Sequence, residues 1–213
     1  MGDVPSALPL LCATNDAGTK EGIVPVSFIC TPQFNTSVHG LVQLDSLDDA
    51  MCDMLLGLSK NIKPVSAKVG KQGGGHDVVS TIRDVMAYPI TGAEPDKILH
   101  HIATEANNSF NYELTGLLES SALLRYTAPS NGYDWHVDVS EDIESLRKIS
   151  IIINLNDDYE GGDFEMFSQG KTGIKLGKGD VIAFSPFLPH RITPVTEGER
   201  WSLVAWVSGP CFR

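Results

Sequence analysis

From about residue 120 the chain becomes a succession of short β-prone runs: "ALLRYT", "RKISIIINL", "GGDFEMF", "GIKL", "GDVIAF", "HRITPV" and "RWSLVAWVS". Gly, Pro, Asn or Asp interrupts them. Many short strands separated by turn residues imply a sandwich or a barrel-like jelly roll. Helical patterns come first and strands later, which predicts an α+β layout with helices buttressing one sheet.

Two helices are predicted upstream. In "SLDDAMCDMLLGLSKNI", Leu47, Ala50, Met51, Met54, Leu55 and Leu58 recur at helical spacing. Ser46 is the expected cap, and Asp48 and Asp49 suit the positive end of the helix dipole. In "PDKILHHIATEANNSF", Pro95 opens a helix, Ile98, Leu99, Ile102, Ala103 and Ala106 form its apolar face, and the Asn pair ends it. "KQGGGHD" lacks the Lys-Ser/Thr ending of a phosphate loop and reads as a linker, and Val78 to Met86 is ambiguous between helix and strand. Residues 1–22 read as a flexible terminus. Residues 23–213 read as one domain, with a jelly-roll core over about 117–208.

Composition narrows the partners. A net charge of −11 disfavours nucleic acid or an anionic membrane as the main partner. No apolar run reaches the length of a membrane span. The first residues lack the basic region of a signal peptide, although "MGDVPS" fits the permissive myristoylation pattern at Gly2 and Ser6. Cys12, Cys30, Cys52 and Cys211 form no C-x-x-C pair and are expected to be free thiols in a cytoplasmic protein.

The chemistry concentrates in "NGYDWHVDVSED". On a strand, residues i and i+2 share a face, so His136 and Asp138 can offer a nitrogen and an oxygen to one metal ion. Such pairs also arise by chance in polar loops, and the spacing alone leaves both readings open. His190 follows Asp138 by 52 residues at the mouth of another strand, and Arg200 lies ten residues beyond it. Two imidazoles and a carboxylate are the facial set of non-haem Fe(II) oxygenases. A bidentate keto acid and O₂ can fill the remaining positions, and a forked guanidinium suits the distal carboxylate of the keto acid.

Strand parity gives a sharper expectation. If "HRITPV" and "RWSLVAW" form a hairpin, a four-residue loop puts His190 and Arg200 on opposite faces. A three-residue loop, Glu197-Gly198-Glu199, pairs Thr196 with Arg200 and puts both on one face. Gly198 suits the left-handed position of the shorter loop, which is the one predicted. Ser202 then points inward beside Arg200, and Trp201 outward.

The segment from about Leu117 to Trp206 resembles the Fe(II)/2-oxoglutarate dioxygenases, most closely their prolyl 4-hydroxylase-like branch. The matching stretches are "LLRYTAPSNGYDWHVD", "RKISIIINLNDDYEGGDFEMF" and "GDVIAFSPFLPHRITPVTEGERWSLVAW". The resemblance implies a double-stranded β-helix, with Fe(II) held by His136, Asp138 and His190 and the distal carboxylate of 2-oxoglutarate held by Arg200. Tyr126, ten residues before His136, matches a tyrosine that often shares that carboxylate, and Ser202 completes an Arg-x-Ser pair. Many prolyl hydroxylases carry Lys where this chain has Arg200. The implied reaction is oxidative decarboxylation of 2-oxoglutarate to succinate and CO₂, coupled through O₂ to hydroxylation of an unactivated C–H bond, with ascorbate as a reductant. Related halogenases lack the carboxylate, so Asp138 favours hydroxylation. A prolyl residue in a peptide or protein is the expected substrate, with a free amino acid or small metabolite as the alternative.

Two other classes use the same residues: a non-catalytic metal-binding jelly-roll module, and a metal hydrolase or isomerase that needs no keto acid. His39, His76, His100 and His101 have no carboxylate partner at ligand spacing. Tyr133 and Trp135 either line the pocket or belong to the core. Turn chemistry accounts for Asn154 and Asn156, unless Ile151 and Ile153 pack outside and Asn154 faces the cavity. "SEDIES" is either a lid or a solvated acidic loop.

Overall fold

Alternation along each strand sorts the side chains into two layers, and this sorting organises the fold. The computed structural model describes residues 40–66, 69–70, 76–77, 84–167 and 171–211. Residues 1–22, the myristoylation pattern, Cys12, Cys30, His39 and the glycine-rich stretch 71–75 lie outside the described residues.

The elements are β1 (Leu41–Leu44), α1 (Asp49–Leu58), β2 (Val65–Ser66), β3 (Val69–Gly70), β4 (His76–Asp77), β5 (Met86–Ile90), α2 (Ala93–Phe110), β6 (Ser121–Thr127), β7 (Tyr133–His136) and β8 (Arg147–Asn154). They continue with β9 (Tyr159–Gly161), β10 (Phe164–Phe167), β11 (Lys171–Ile174), β12 (Val181–Phe184), β13 (His190–Ile192) and β14 (Val195–Ser208). An eight-stranded sheet runs β1-β12-β8-β14-β6-β5-β2, with β9 also paired to β14. A four-stranded sheet runs β11-β10-β13-β7. All these pairings are antiparallel. Both helices precede β6–β14, but β1 comes before α1, β2 and β5 lie between the helices, and all three join the large sheet, which the expected order of helices first and strands later does not include.

On β8, Ile149, Ile151 and Ile153 pack with Leu99, Ile102 and Ala106 of α2. Ile152 faces the other way, with Phe164, Phe184 and Ile192. On β14, Leu203, Ala205 and Val207 join the helix-side core, while Val204 joins the inner one. Burying each such side chain stabilises the fold by about 1.5–3 kcal/mol.

Both helices differ in detail from the sequence reading. Asp48, not Ser46, caps α1, its carboxylate accepting from Met51 N at 2.8 Å. Ser46 instead donates to Asp180 at 2.9 Å, a partner remote in sequence. Cys52 and Leu55 are the buried residues of α1, whereas Met51 and Met54 are exposed. Lys178 contacts Asp49 at 3.3 Å and Asp53 at 3.0 Å on the exposed side of the helix. In α2 the Asn pair does not end the helix. It continues to Phe110, and Asn111 stops it in a left-handed conformation. Asn107 closes the turn through two hydrogen bonds with the Tyr112 backbone, at 2.9 and 2.8 Å. Of the ambiguous segment, the described part at Met86 is strand.

The expected hairpin between β13 and β14 does not form. β13 pairs with β7 and β10, whereas β14 pairs with β6, β8 and β9. Pro194 sits at the break and has no N–H with which to extend a ladder. From Val195 the chain enters the larger sheet. Gly198 is a left-handed kink within β14 rather than a turn apex: its φ is +74°, and a Cβ there would lie 2.6 Å from the Asp158 carbonyl oxygen.

Candidate metal centre

His136, Asp138 and His190 come together between the two sheets, with ligand atoms all within 4.8 Å of one another. This is the one such cluster of three among the described residues. His190 opens β13 and pairs directly with His136, the last residue of β7. Asp138 is not on the strand as its spacing suggested. It lies in the bend beyond β7, and its N–H donates to the Pro186 carbonyl at 2.7 Å.

A shift in register completes the arrangement. Ile192 pairs with Tyr133 and His190 with His136, so β7 carries one extra residue across that interval. Tyr133 and His136 therefore share the inner face and stack, with ring centroids 3.4 Å apart. Trp135 turns outward and is exposed beneath the Arg191 guanidinium. Strict alternation would have placed Tyr133 and Trp135 together.

The proton positions follow from the backbone. Nδ1 of His136 lies 2.7 Å from the Asp134 carbonyl oxygen, and Nδ1 of His190 lies 2.9 Å from that of Leu188. A carbonyl only accepts, so each Nδ1 carries a proton and donates it, and each Nε2 faces Asp138. The Nε2 atoms lie 3.6 Å from Asp138 Oδ1 and 3.6 Å from Oδ2, respectively. That is too long for a hydrogen bond. It is close enough for one ion to touch both atoms at ligand distances of about 2.0–2.2 Å. Burial pushes the Asp138 carboxyl up, but the His190 and His136 imidazoles, with hydrogen bonds from Ser150 and Trp206, hold it below the usual carboxylate range. Ser150 Oγ donates to Oδ2 at 2.7 Å.

Arg200 occupies the opposite wall of the same cavity, which has about 430 Å³ of empty space including its mouth. His190 and Arg200 share this cavity from different sheets, although no hairpin joins their strands. Arg200 is 1% exposed, and Nη1 donates to Ser202 Oγ at 3.0 Å. Nε and Nη2 are buried with no hydrogen-bond partner among the described residues. Such a fork is costly to bury without an acceptor, so its fit is to a carboxylate. Tyr126 pairs with Arg200 across β6 and β14, and its ring centroid lies 5.6 Å from the guanidinium. Ser202 points inward beside Arg200, and Trp201 packs on the helix side against Tyr88. Leu124, Ile152, Ile192 and Val204 supply the apolar lining.

The profile of the 2OG-Fe(II) oxygenase superfamily matches residues 121–208, the stretch that holds all six of these side chains. Residues 121–208 are a 2OG-Fe(II) oxygenase domain. Fe(II), 2-oxoglutarate and O₂ are the cofactor and co-substrates of that superfamily, and the donor set and the unpaired guanidinium fit the first two.

The chain is 35% identical over 88 residues to a PKHD-type hydroxylase of Synechococcus sp. (strain CC9311), covering 40% of this chain and 40% of that protein. It is 42% identical over 59 residues to a PKHD-type hydroxylase of Maricaulis maris, 27% of each chain. The matches thus span well under two thirds of these relatives' own lengths. Among solved structures, a Pseudomonas putida prolyl-4-hydroxylase aligns with a TM-score of 0.63 at 20% identity, covering 81% of this chain and 94% of that one. A viral collagen prolyl hydroxylase from Paramecium Bursaria Chlorella virus-1 aligns at 0.61 and 20%, covering 80% and 97%. These likenesses show the jelly-roll fold.

Sequence reasoning passed over several residues that support the site. Ser150 and Asn154 flank Ile152 on one face of β8, opposite the uniformly apolar Ile149, Ile151 and Ile153, and this contrast is a readable signal. Asn154 is fully buried but does not line the cavity, and it accepts from Tyr159 Oη at 3.1 Å. "SEDIES" folds partly into a 3-10 turn over Asp142–Leu146. Among the described residues, no helix is long and apolar enough to cross a membrane.

Proposed function

We propose that the chain, with residues 23–213 as one domain, is a 2-oxoglutarate-dependent hydroxylase that acts on a prolyl residue in a peptide or protein. His136, Asp138 and His190 hold Fe(II), and Arg200, Ser202 and Tyr126 hold 2-oxoglutarate. The observation that carries this reading is the buried fork of Arg200, without an acceptor on two of its nitrogens, in the same cavity as the three-ligand cluster. A metal hydrolase or a simple binding module would need that guanidinium only for an anionic ligand.

The bound iron and co-substrates supply an oxidant strong enough for a C–H bond, driven by conversion of 2-oxoglutarate to succinate and CO₂. The chain supplies the geometry. The Asp134 and Leu188 carbonyls keep the imidazole protons on Nδ1, leaving Nε2 for the metal. Ser202 orients Arg200 so that Nε and Nη2 face the distal carboxylate. The apolar lining excludes water and strengthens that ion pair. Val137 lies between the two ligands of the first loop, and Phe187 is in the loop before His190. Both are exposed, and both suit an apolar substrate ring.

Purified protein, given Fe(II) and 2-oxoglutarate without oxygen, should show a weak visible charge-transfer band. Succinate release is then screened against proline-containing peptides, free amino acids and small metabolites. Release that rises only with peptides supports the full reading, and release with a free amino acid moves the substrate to the small-molecule class. Absence of both band and turnover removes the hydroxylase reading.

A further inference from the structure

Asp138 leaves the sheet before it reaches the metal position, so something other than strand pairing must hold it. We propose that Arg147 is the positioning residue that fixes this third ligand, an inference that rests on the iron-site reading above. Arg147 opens β8 and is 6% exposed. Nη1 donates to the Asp138 carbonyl at 2.6 Å, which pins the backbone of the ligand itself. The guanidinium lies 4.1 Å from the centre of the Trp206 ring, which lines the same cavity as Asp138. One cation therefore holds the main chain of the ligand and packs on an aromatic wall of its cavity.

Arg147 is itself held in place. Nε donates to Glu119 Oε2 at 2.7 Å, and Nη2 donates to Oε1 of the same carboxylate. Nη2 also lies 3.5 Å from Glu144, in the 3-10 turn between Asp138 and β8. The planar fork matches Glu119 at two points while its face covers Trp206 and its third nitrogen reaches Asp138. A lysine can reproduce the charge but not these three contacts together. Arg147 touches neither the metal position nor the co-substrate pocket, so its effect is on ligand geometry.

The test titrates metal-free full-length protein with Co(II), whose visible bands report coordination geometry. The proteins are wild type, Arg147→Ala, Arg147→Lys, Glu119→Gln and the exposed control Lys97→Ala. Thermal melts and far-UV circular dichroism run alongside. We expect both Arg147 variants to bind Co(II) roughly 10- to 100-fold more weakly, with altered bands. Glu119→Gln should move in the same direction, and Lys97→Ala should match wild type. A residue that only stabilises the fold would lower the melting temperature and leave the bands unmoved. If a folded Arg147 variant binds within about twofold of wild type with unchanged bands, the inference is overturned. If neither Arg147 variant folds, near-wild-type binding by Glu119→Gln overturns it equally. Wild-type protein that binds no Co(II) removes the iron-site reading itself, an outcome distinct from the others.

Discussion

A Cβ placed on Gly162 would lie 2.7 Å from Cδ of Arg200, 3.1 Å from the Tyr159 ring and 3.2 Å from Val195. Gly162 is thus the floor on which the Arg200 stem rests, and its φ of +67° is a conformation that side chains disfavour. Gly162→Ala should displace the guanidinium and strain the turn, at a cost of about 1–3 kcal/mol. In the proposed enzyme, the KM for 2-oxoglutarate should rise at least roughly tenfold, which corresponds to about 1.4 kcal/mol of binding. Metal affinity should hold. Steady-state kinetics in varied 2-oxoglutarate, beside a metal titration, separates the two, and an unchanged KM would show that Arg200 does not depend on this floor.

Arg200→Met probes the guanidinium in the opposite sense. Without an anion, two buried nitrogens of Arg200 stand unsatisfied, so a hydrophobic replacement of similar length should leave the ligand-free protein as stable as wild type or more so. The same variant should lose the rise in melting temperature expected of the wild-type protein with Fe(II) plus 2-oxoglutarate, since such a rise follows RT ln(1 + [L]/Kd). Thermal melts with and without the co-substrate read both effects. A marked fall in the ligand-free melt would mean that Arg200 has a structural partner instead.

Legibility followed the range of the interaction. Strand alternation and turn chemistry placed β6, β8, β12 and β14, and the helical period found α1 and α2, because those signals are local. His136, Asp138, His190, Arg200 and Ser202 were readable because side-chain chemistry limits what such a set can do. What failed was non-local. The rotation of α1 depends on the core that Cys52 and Leu55 share with residues of the distant β8 and β14. The separation of β13 from β14 depends on which sheet offers Val195 a partner, and Gly161 of β9 provides it. The stacking of Tyr133 on His136 depends on a register shift that arises only when β7 meets β13. Alternation along one strand cannot report an extra residue in its pairing.

Asn154 should prove expensive to replace. Its Nδ2 lies 2.7 Å from the Asn156 carbonyl oxygen, 3.1 Å from that of Leu176 and 3.2 Å from that of Gly177, while Oδ1 accepts from Tyr159 Oη. Asn154→Leu strips these groups of their buried partner at about 1–3 kcal/mol for each one left unsatisfied. The expected loss is roughly 3 kcal/mol or more, read as a lower urea midpoint at constant slope. A loss below about 1 kcal/mol would mean that the carbonyls find other donors.

Ser150→Ala isolates the carboxylate from its backbone. Ser150 Oγ is the donor to Asp138 Oδ2 at 2.7 Å, and the serine is 1% exposed, so no bulk water stands ready to replace it. The substitution removes one oxygen and leaves the fold's packing almost unchanged. One of the hydrogen bonds that hold the carboxylate ionised is lost, and the carboxyl group becomes freer to rotate. Metal affinity should fall by roughly 10- to 100-fold, the usual effect of deleting an outer-shell partner. In the proposed enzyme Arg200 on the far wall binds 2-oxoglutarate, so the KM for that co-substrate should change little once metal is saturating. Ser150→Thr keeps the hydroxyl and should recover most of the affinity, provided that its added methyl finds room beside Ile152. Titrating the three proteins with Fe(II) without oxygen decides the matter: equal affinities for Ser150→Ala and wild type would mean that Asp138 is held without this bond.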